Sequence, residues 1–150
     1  MRTILTYGLF IFLVVGAGLL SGLTNMPGEW YQTLEKPFFN PPPWIFGPVW
    51  TLLYVLIAIA GARIWLKVPR SAAMQLWFAQ IALNMMWSPS FFGLENPGLA
   101  LVVILMLLAT IVVFMRKAAP IDRPSMLLFI PYLAWVGFAT LLNTSIFLLN

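Results

Sequence analysis

Long apolar runs alternate with short polar breaks along this chain and divide it into five segments, 4–23, 44–66, 72–93, 97–115 and 125–149. Each run is close to the roughly 20 residues that cross a bilayer as an α-helix. The pattern predicts an all-α protein, an integral membrane bundle of five transmembrane helices forming one domain over 1–150. The break between the first two runs, 25–43, is longer than the others and differs in kind. It holds Pro37, Pro41, Pro42 and Pro43, which deny it a long helix or a regular ladder. Fixed proline φ angles also lower the entropy of the free loop. Together with the aromatic residues around it, this stretch reads as a rigid lid that runs directly into the second helix. The plainer alternative is an interfacial aromatic belt, because Trp and Tyr collect at headgroup depth.

Within the helical segments the polar and small residues are not scattered. In the first, Gly18 and Gly22 form a GxxxG pair, which lets helix backbones approach closely, either inside the bundle or at a dimer seam. The segment is too long for the apolar core of a cleaved signal peptide. In the second, Trp50 and Tyr54 are one turn apart and share a face, and Arg63 and Lys67 near its end can snorkel to the interface. In the third, Asn84, Trp87, Ser88 and Phe91 fall at i, i+3, i+4 and i+7. They make one stripe, polar and aromatic, that must face protein or a cavity, since an amide is costly in lipid. Pro89 frees a backbone carbonyl beside it. Such stripes also serve as interhelical glue. Asn96 and Pro97 read as the cap and first residue of the fourth helix, which is almost wholly aliphatic. In the fifth, Pro131 loosens the first turns, and Tyr132, Trp135, Ala139 and Asn143 lie near one face. Ala139 leaves a gap between large neighbours, wide enough for a ligand ring.

Composition adds two exclusions. The chain is 62% hydrophobic and 8% charged, with mean hydropathy +0.96, so its solvent is lipid rather than water. It has neither cysteine nor histidine, which removes disulfides, thiol nucleophiles, imidazole bases and the usual ligands of zinc and haem iron. The four acids, Glu29, Glu35, Glu95 and Asp122, fall in predicted loops, so a carboxylate metal cage or an intramembrane proton relay is not expected, nor is any cofactor.

Charge sets the orientation. Arg2, the turn with Arg63, Lys67 and Arg70, and the turn with Arg116, Lys117 and Arg123 share one side, whereas the other side has only Lys36. The positive-inside rule then predicts a cytoplasmic N-terminus, with the lid and C-terminus outside. Helical spans point to a bacterial inner membrane rather than an outer one, with a mitochondrial membrane the open alternative. The pI near 9.9 reflects this topology, and the basic residues are too dispersed to bind nucleic acid. The stripes and the lid converge on a pocket lined by Trp, Tyr and Phe with a few amides. That suits a flat, apolar, aromatic molecule such as a metal-free porphyrin, whose acidic tails could meet Lys36.

The segments WYQTLEKPFFNPPPWIFGPVWTLLY, LNMMWSPSFFG and PYLAWVGFATLLNTSI resemble the TspO/MBR family over essentially the whole chain, with the character of a bacterial member. The resemblance implies a five-helix membrane bundle, usually a homodimer, that binds porphyrins such as protoporphyrin IX beneath its first loop. It implies ligand contacts from Tyr31 in the lid, Trp44 and Trp50 in the second helix, Asn84, Trp87, Ser88 and Phe91 in the third, and Trp135, Ala139 and Asn143 in the fifth. Some bacterial relatives degrade protoporphyrin IX in light, which would make Tyr31 and Trp135 catalytic here. Animal members bind cholesterol through a Tyr and a following basic residue late in the fifth helix, and ATLLNTSIFLLN has neither. Three functions compete: a porphyrin-binding receptor or regulator, a transporter of tetrapyrroles or lipid-like molecules, and a photo-oxidative enzyme. The transporter reading is weakened because no inverted repeat and no intramembrane charge is evident.

Overall fold

The computed structural model describes residues 1–150, and its regular elements are all helices. α1 spans Arg2–Thr24, α2 Glu29–Thr33, α3 Phe46–Lys67, α4 Ala72–Ser88, α5 Pro97–Ala118, α6 Arg123–Leu128 and α7 Ile130–Leu149. A 3-10 turn, Pro43–Ile45, leads into α3, and a π-helical turn, Pro89–Gly93, continues α4.

The helices outnumber the five expected, for local reasons. The lid carries its own short helix, α2, because no proline falls between Pro27 and Pro37, which leaves Glu29–Thr33 unrestricted. Glu29 thus lies in a helical first turn rather than in a loop. The last segment divides at Phe129, two residues before Pro131, whose ring cannot continue an uninterrupted helix. Four helical runs are long and apolar enough to cross a membrane: Arg2–Thr24, Pro43–Lys67, Pro97–Ala118 and Arg123–Leu149. The remaining one, α4, has 17 α-helical residues, carries Gln75, Gln80 and Asn84, and gives way at Pro89 to the π turn. Missing its amide hydrogen, Pro89 shifts the pairing there, and Leu94 N–H reaches back five residues to the Pro89 carbonyl at 2.8 Å. Asn96 caps α5 by accepting from Leu99 N–H at 3.0 Å, with Pro97 at the first position.

Packing follows the rules of a lipid-solvated bundle, in which small residues rather than hydrophobicity bring helices together. α1 lies on α3 and buries only Val14 and Gly18, leaving Ile4, Leu9, Phe12, Leu20 and Leu23 exposed. Gly18 sits against the Tyr54 ring, where a Cβ would collide, so its use is inside the chain. Gly22 meets no such neighbour. On α3, Ala58, Ala60, Gly61 and Ala62 are buried, and Gly61 admits the Trp77 indole, which donates to the Ile57 carbonyl at 2.9 Å.

At the far end of α3, Arg63 and Lys67 do more than reach the interface. Arg63 donates to Asp122 from Nε at 2.7 Å and from Nη2 at 3.1 Å, and Lys67 Nζ donates at 2.6 Å. Asp122 also caps α6 by accepting from Ser125 N–H at 3.2 Å. The Arg63 hydrogen bonds, with those of Lys67 and Ser125, hold its carboxyl well below the usual carboxylate range against the opposing effect of burial.

Candidate functional site

The lid-side cavity is built from three elements. α2 presents Trp30 and Tyr31 to the π turn of α4. The Trp30 ring meets Phe91 edge-on at 5.7 Å, and Tyr31 meets Phe92 at 5.5 Å. Trp87, one turn before Phe91, stacks on it at 5.1 Å with the planes 24° apart. The π turn widens the helix here, which brings Phe91 and Phe92 together at 4.8 Å and gives the lid an aromatic seat. α7 supplies the opposite wall through Ala139, Leu142, Asn143 and Ile146. Asn143 is held by both neighbours: its Oδ1 accepts from Trp87 Nε1 at 2.9 Å, and its Nδ2 donates to the Pro97 carbonyl at 2.9 Å. An amide so used is a rigid wall rather than a free hand.

These elements enclose about 670 Å³, a volume in the range of pockets that hold small-molecule ligands. Tyr31, Trp87, Ser88, Phe91, Ala139 and Asn143 line it, with Gly22, Asn25, Asn40 and Phe46. Lys36 is the one charged side chain in the lining, and its ammonium lies 4.5 Å from the centre of the Tyr31 ring. A second cavity of about 30 Å³, room for a water molecule or two, lies against the first. It is lined by Trp50, Tyr54 and Asn84 and shares Trp87, Ser88 and Ala139 with its larger neighbour.

Below it runs a chain of polar side chains. Asn84 Nδ2 donates to Tyr132 Oη at 2.7 Å, and Tyr132 donates to Gln80 Oε1 at 2.8 Å. Tyr54 reaches Asn84 Oδ1 at a long 3.4 Å. Gln80, Tyr132 and Asn143 are fully buried, and Asn84 nearly so.

Of the ten residues expected at the site, six therefore line the large cavity, and Trp50 and Asn84 line the small one. Trp44 and Trp135 line neither. Trp44 is 73% exposed. Trp135 packs sideways among Phe46 at 5.8 Å, Phe138 at 5.6 Å and Trp50 at 6.5 Å, and its Nε1 is buried without a partner. Phe46, Asn40 and Gln80 did not stand out in the sequence. Gln80 had a signal, because it lies one turn before Asn84 on the same stripe.

The cavity offers aromatic faces, amides and one ammonium, with no carboxylate, imidazole or thiol in its lining. Chemically it can stack and orient a flat molecule and pair one anionic group. The model of the TspO/MBR family matches residues 10–149. The tryptophan-rich protein TspO of Chlorobaculum tepidum is 41% identical, over 99% of this chain and 98% of its own length. A tryptophan-rich sensory protein of Cereibacter sphaeroides is 36% identical over 90% of this chain and 85% of its own. The translocator protein of Ovis aries is 34% identical over 87% and 82%. Matched from Phe10 to Leu149 and alike over nearly its full length to relatives from bacteria and an animal, the chain belongs to the TspO/MBR family.

Proposed function

We propose that this chain is a five-span membrane receptor or regulator that binds a porphyrin of the protoporphyrin IX type in the lidded cavity. The observation that carries the reading is the cavity itself: about 670 Å³, roofed by Tyr31 and Lys36 and walled by the Trp87–Phe91 stack and Ala139. A tetrapyrrole face would lie on the aromatic wall, and a carboxylate tail would pair with Lys36. In this reading α4 and its π turn form a crossing segment together with the four long apolar runs. The basic residues Arg2, Arg70, Arg116, Lys117 and Arg123 lie on the cytoplasmic side, the lid lies outside, the membrane is the bacterial inner membrane, and the protein works as a homodimer.

The test is tryptophan fluorescence of purified protein titrated with protoporphyrin IX, in the dark and then under illumination. Saturable quenching with absorbance stable in light supports the receptor. Passage of porphyrin into sealed vesicles carrying the protein would move transport first, and light-driven loss over several turnovers would move catalysis first. No saturable quenching would end the porphyrin reading.

A further inference from the structure

The lid beyond α2 has no regular structure from Leu34 to Pro42, and few contacts hold it down. Tyr31 rests on Phe91 and Phe92, and Phe39 rests on Phe138 at 6.2 Å. Between them one polar clasp fixes the backbone. Glu35 N–H donates to Asn150 Oδ1 at 3.1 Å, and Asn150 Nδ2 donates to the Glu35 carbonyl at 3.0 Å. The amide thus pairs with both backbone groups of one residue. The same Nδ2 donates to the Ile146 carbonyl at 2.8 Å, which fixes the side chain to α7. Asn143, Ile146 and Asn150 stand at i, i+3 and i+7 on one face of α7: the first two wall the cavity, and the third holds its roof. Glu35 immediately precedes Lys36, which lines the cavity.

We propose that Asn150 is the latch of the lid, a positioning residue that sets how fast a ligand enters and leaves the cavity; this rests on the cavity being the ligand site. Both hydrogen bonds are solvent-exposed, so each is individually weak and reversible, as a gate requires. Opening frees the segment carrying Lys36 while the aromatic seat of Tyr31 stays in place as a hinge.

The chain has no cysteine, so Ser88→Cys, on the cavity wall beneath the lid, provides a single labelling site. Adding Asn150→Ala should raise the rate of its reaction with N-ethylmaleimide about tenfold, the value of two exposed hydrogen bonds. Without the cysteine, Asn150→Ala should speed protoporphyrin IX dissociation by a similar factor. Glu35→Ala should change neither rate, because only the backbone of Glu35 is gripped. If Asn150→Ala lowers the melting temperature while both rates stay put, Asn150 merely caps α7 and the latch is overturned. Faster labelling in a protein whose parent never binds porphyrin keeps the latch and ends the porphyrin reading. Amide exchange in the unmodified protein needs no variant: the Glu35 N–H should be protected relative to that of Lys36, which has no backbone partner. Equal exchange of the two would also overturn the latch.

Discussion

The two ends of this bundle solve opposite problems. α3 separates them, because its 22 residues span about 33 Å from the lid side to Lys67. At the Lys67 end side chains interlock. Phe114 and Phe129 lie 4.4 Å apart, Tyr132 closes on Phe129 at 5.2 Å, and all three are fully buried. Asp122 ties α3 to the start of α6 through Arg63 and Lys67. At the lid end the same kinds of residue surround empty space. Phe91, Ala100 and Ile146 form a small separate cluster, while Phe38 is 99% exposed and Trp44 73%. The contrast assigns roles: one end carries the stability, so the other can keep room for a guest. Binding sites drawn from the less tightly packed part of a fold are the general expectation.

The division predicts that damage at one end leaves the other untouched, and the largest expected effect tests it. Asp122→Ala removes the shared partner of two cations and the cap of α6. Arg63 and Lys67 keep access to water, with side chains 33% and 50% exposed, so the loss falls below that of a fully buried pair. We expect about 2–3 kcal/mol less stability by thermal melting in detergent. Porphyrin affinity measured well below the melting transition should be unchanged. A matching fall in affinity would show that the two ends are not independent.

Acid should reproduce part of that loss. The Asp122 carboxyl is held below its ordinary value in the folded protein, so its contribution is complete above the unfolded pKa, about 4. It is lost as pH falls from there through the folded value. The melting temperature should therefore drop below about pH 4, and Asp122→Asn should remove that component of the slope. An unchanged slope in the variant would mean that other groups set the acid limit.

At the lid end the expected effects are on binding. Ala139 lines both cavities, so Ala139→Thr fills space a ligand would use. Affinity for protoporphyrin IX should fall about tenfold, or 1.4 kcal/mol, with a smaller change in stability. Unchanged affinity would place the ligand away from the junction of the two cavities and blur the distinction between the ends.

The two ends were also unequally legible in the sequence. Asn84, Trp87, Ser88 and Phe91 could be grouped because they are close in sequence and helical period alone puts them on one stripe. The Asp122 cluster joins residues 55 and 59 positions apart, and the Asn150 clasp joins residues 115 apart. No periodicity carries such pairings, so Arg63 and Lys67 read as ordinary interfacial residues. The prolines of 25–43 correctly barred a long helix, yet one turn and a half formed in the proline-free part. Trp135 marks the limit of stripe reasoning. It is one turn from Ala139 and two from Asn143, but each turn of four residues drifts about 40° around the helix. A stripe locates a face and not the edge of a cavity, and Trp135 falls past that edge.

That displacement yields the smallest predicted effect and the finest test. Trp135 lines neither cavity, and its ring contacts reach them through Phe46, which lines the larger, and Trp50, which lines the smaller. Its indole nitrogen has no partner to lose. Trp135→Phe should therefore leave melting within about 1 kcal/mol and dark binding within about twofold. Light is a different matter. A photoexcited porphyrin can take an electron from a nearby indole or phenol, and a phenylalanine ring such as Phe46 is far harder to oxidise. Tyr31 stands on the cavity wall, whereas a charge moving to Trp135 would have to pass Phe46 or travel by way of Trp50. If light-driven loss of porphyrin occurs, Tyr31→Phe should slow it more than Trp135→Phe does. The reverse order would mean that the ring sits deeper, toward Trp50, where the packed and hollow parts of the bundle meet. Equal loss in Trp135→Phe and the parent would remove Trp135 from the chemistry and leave it a wedge between α3 and α7.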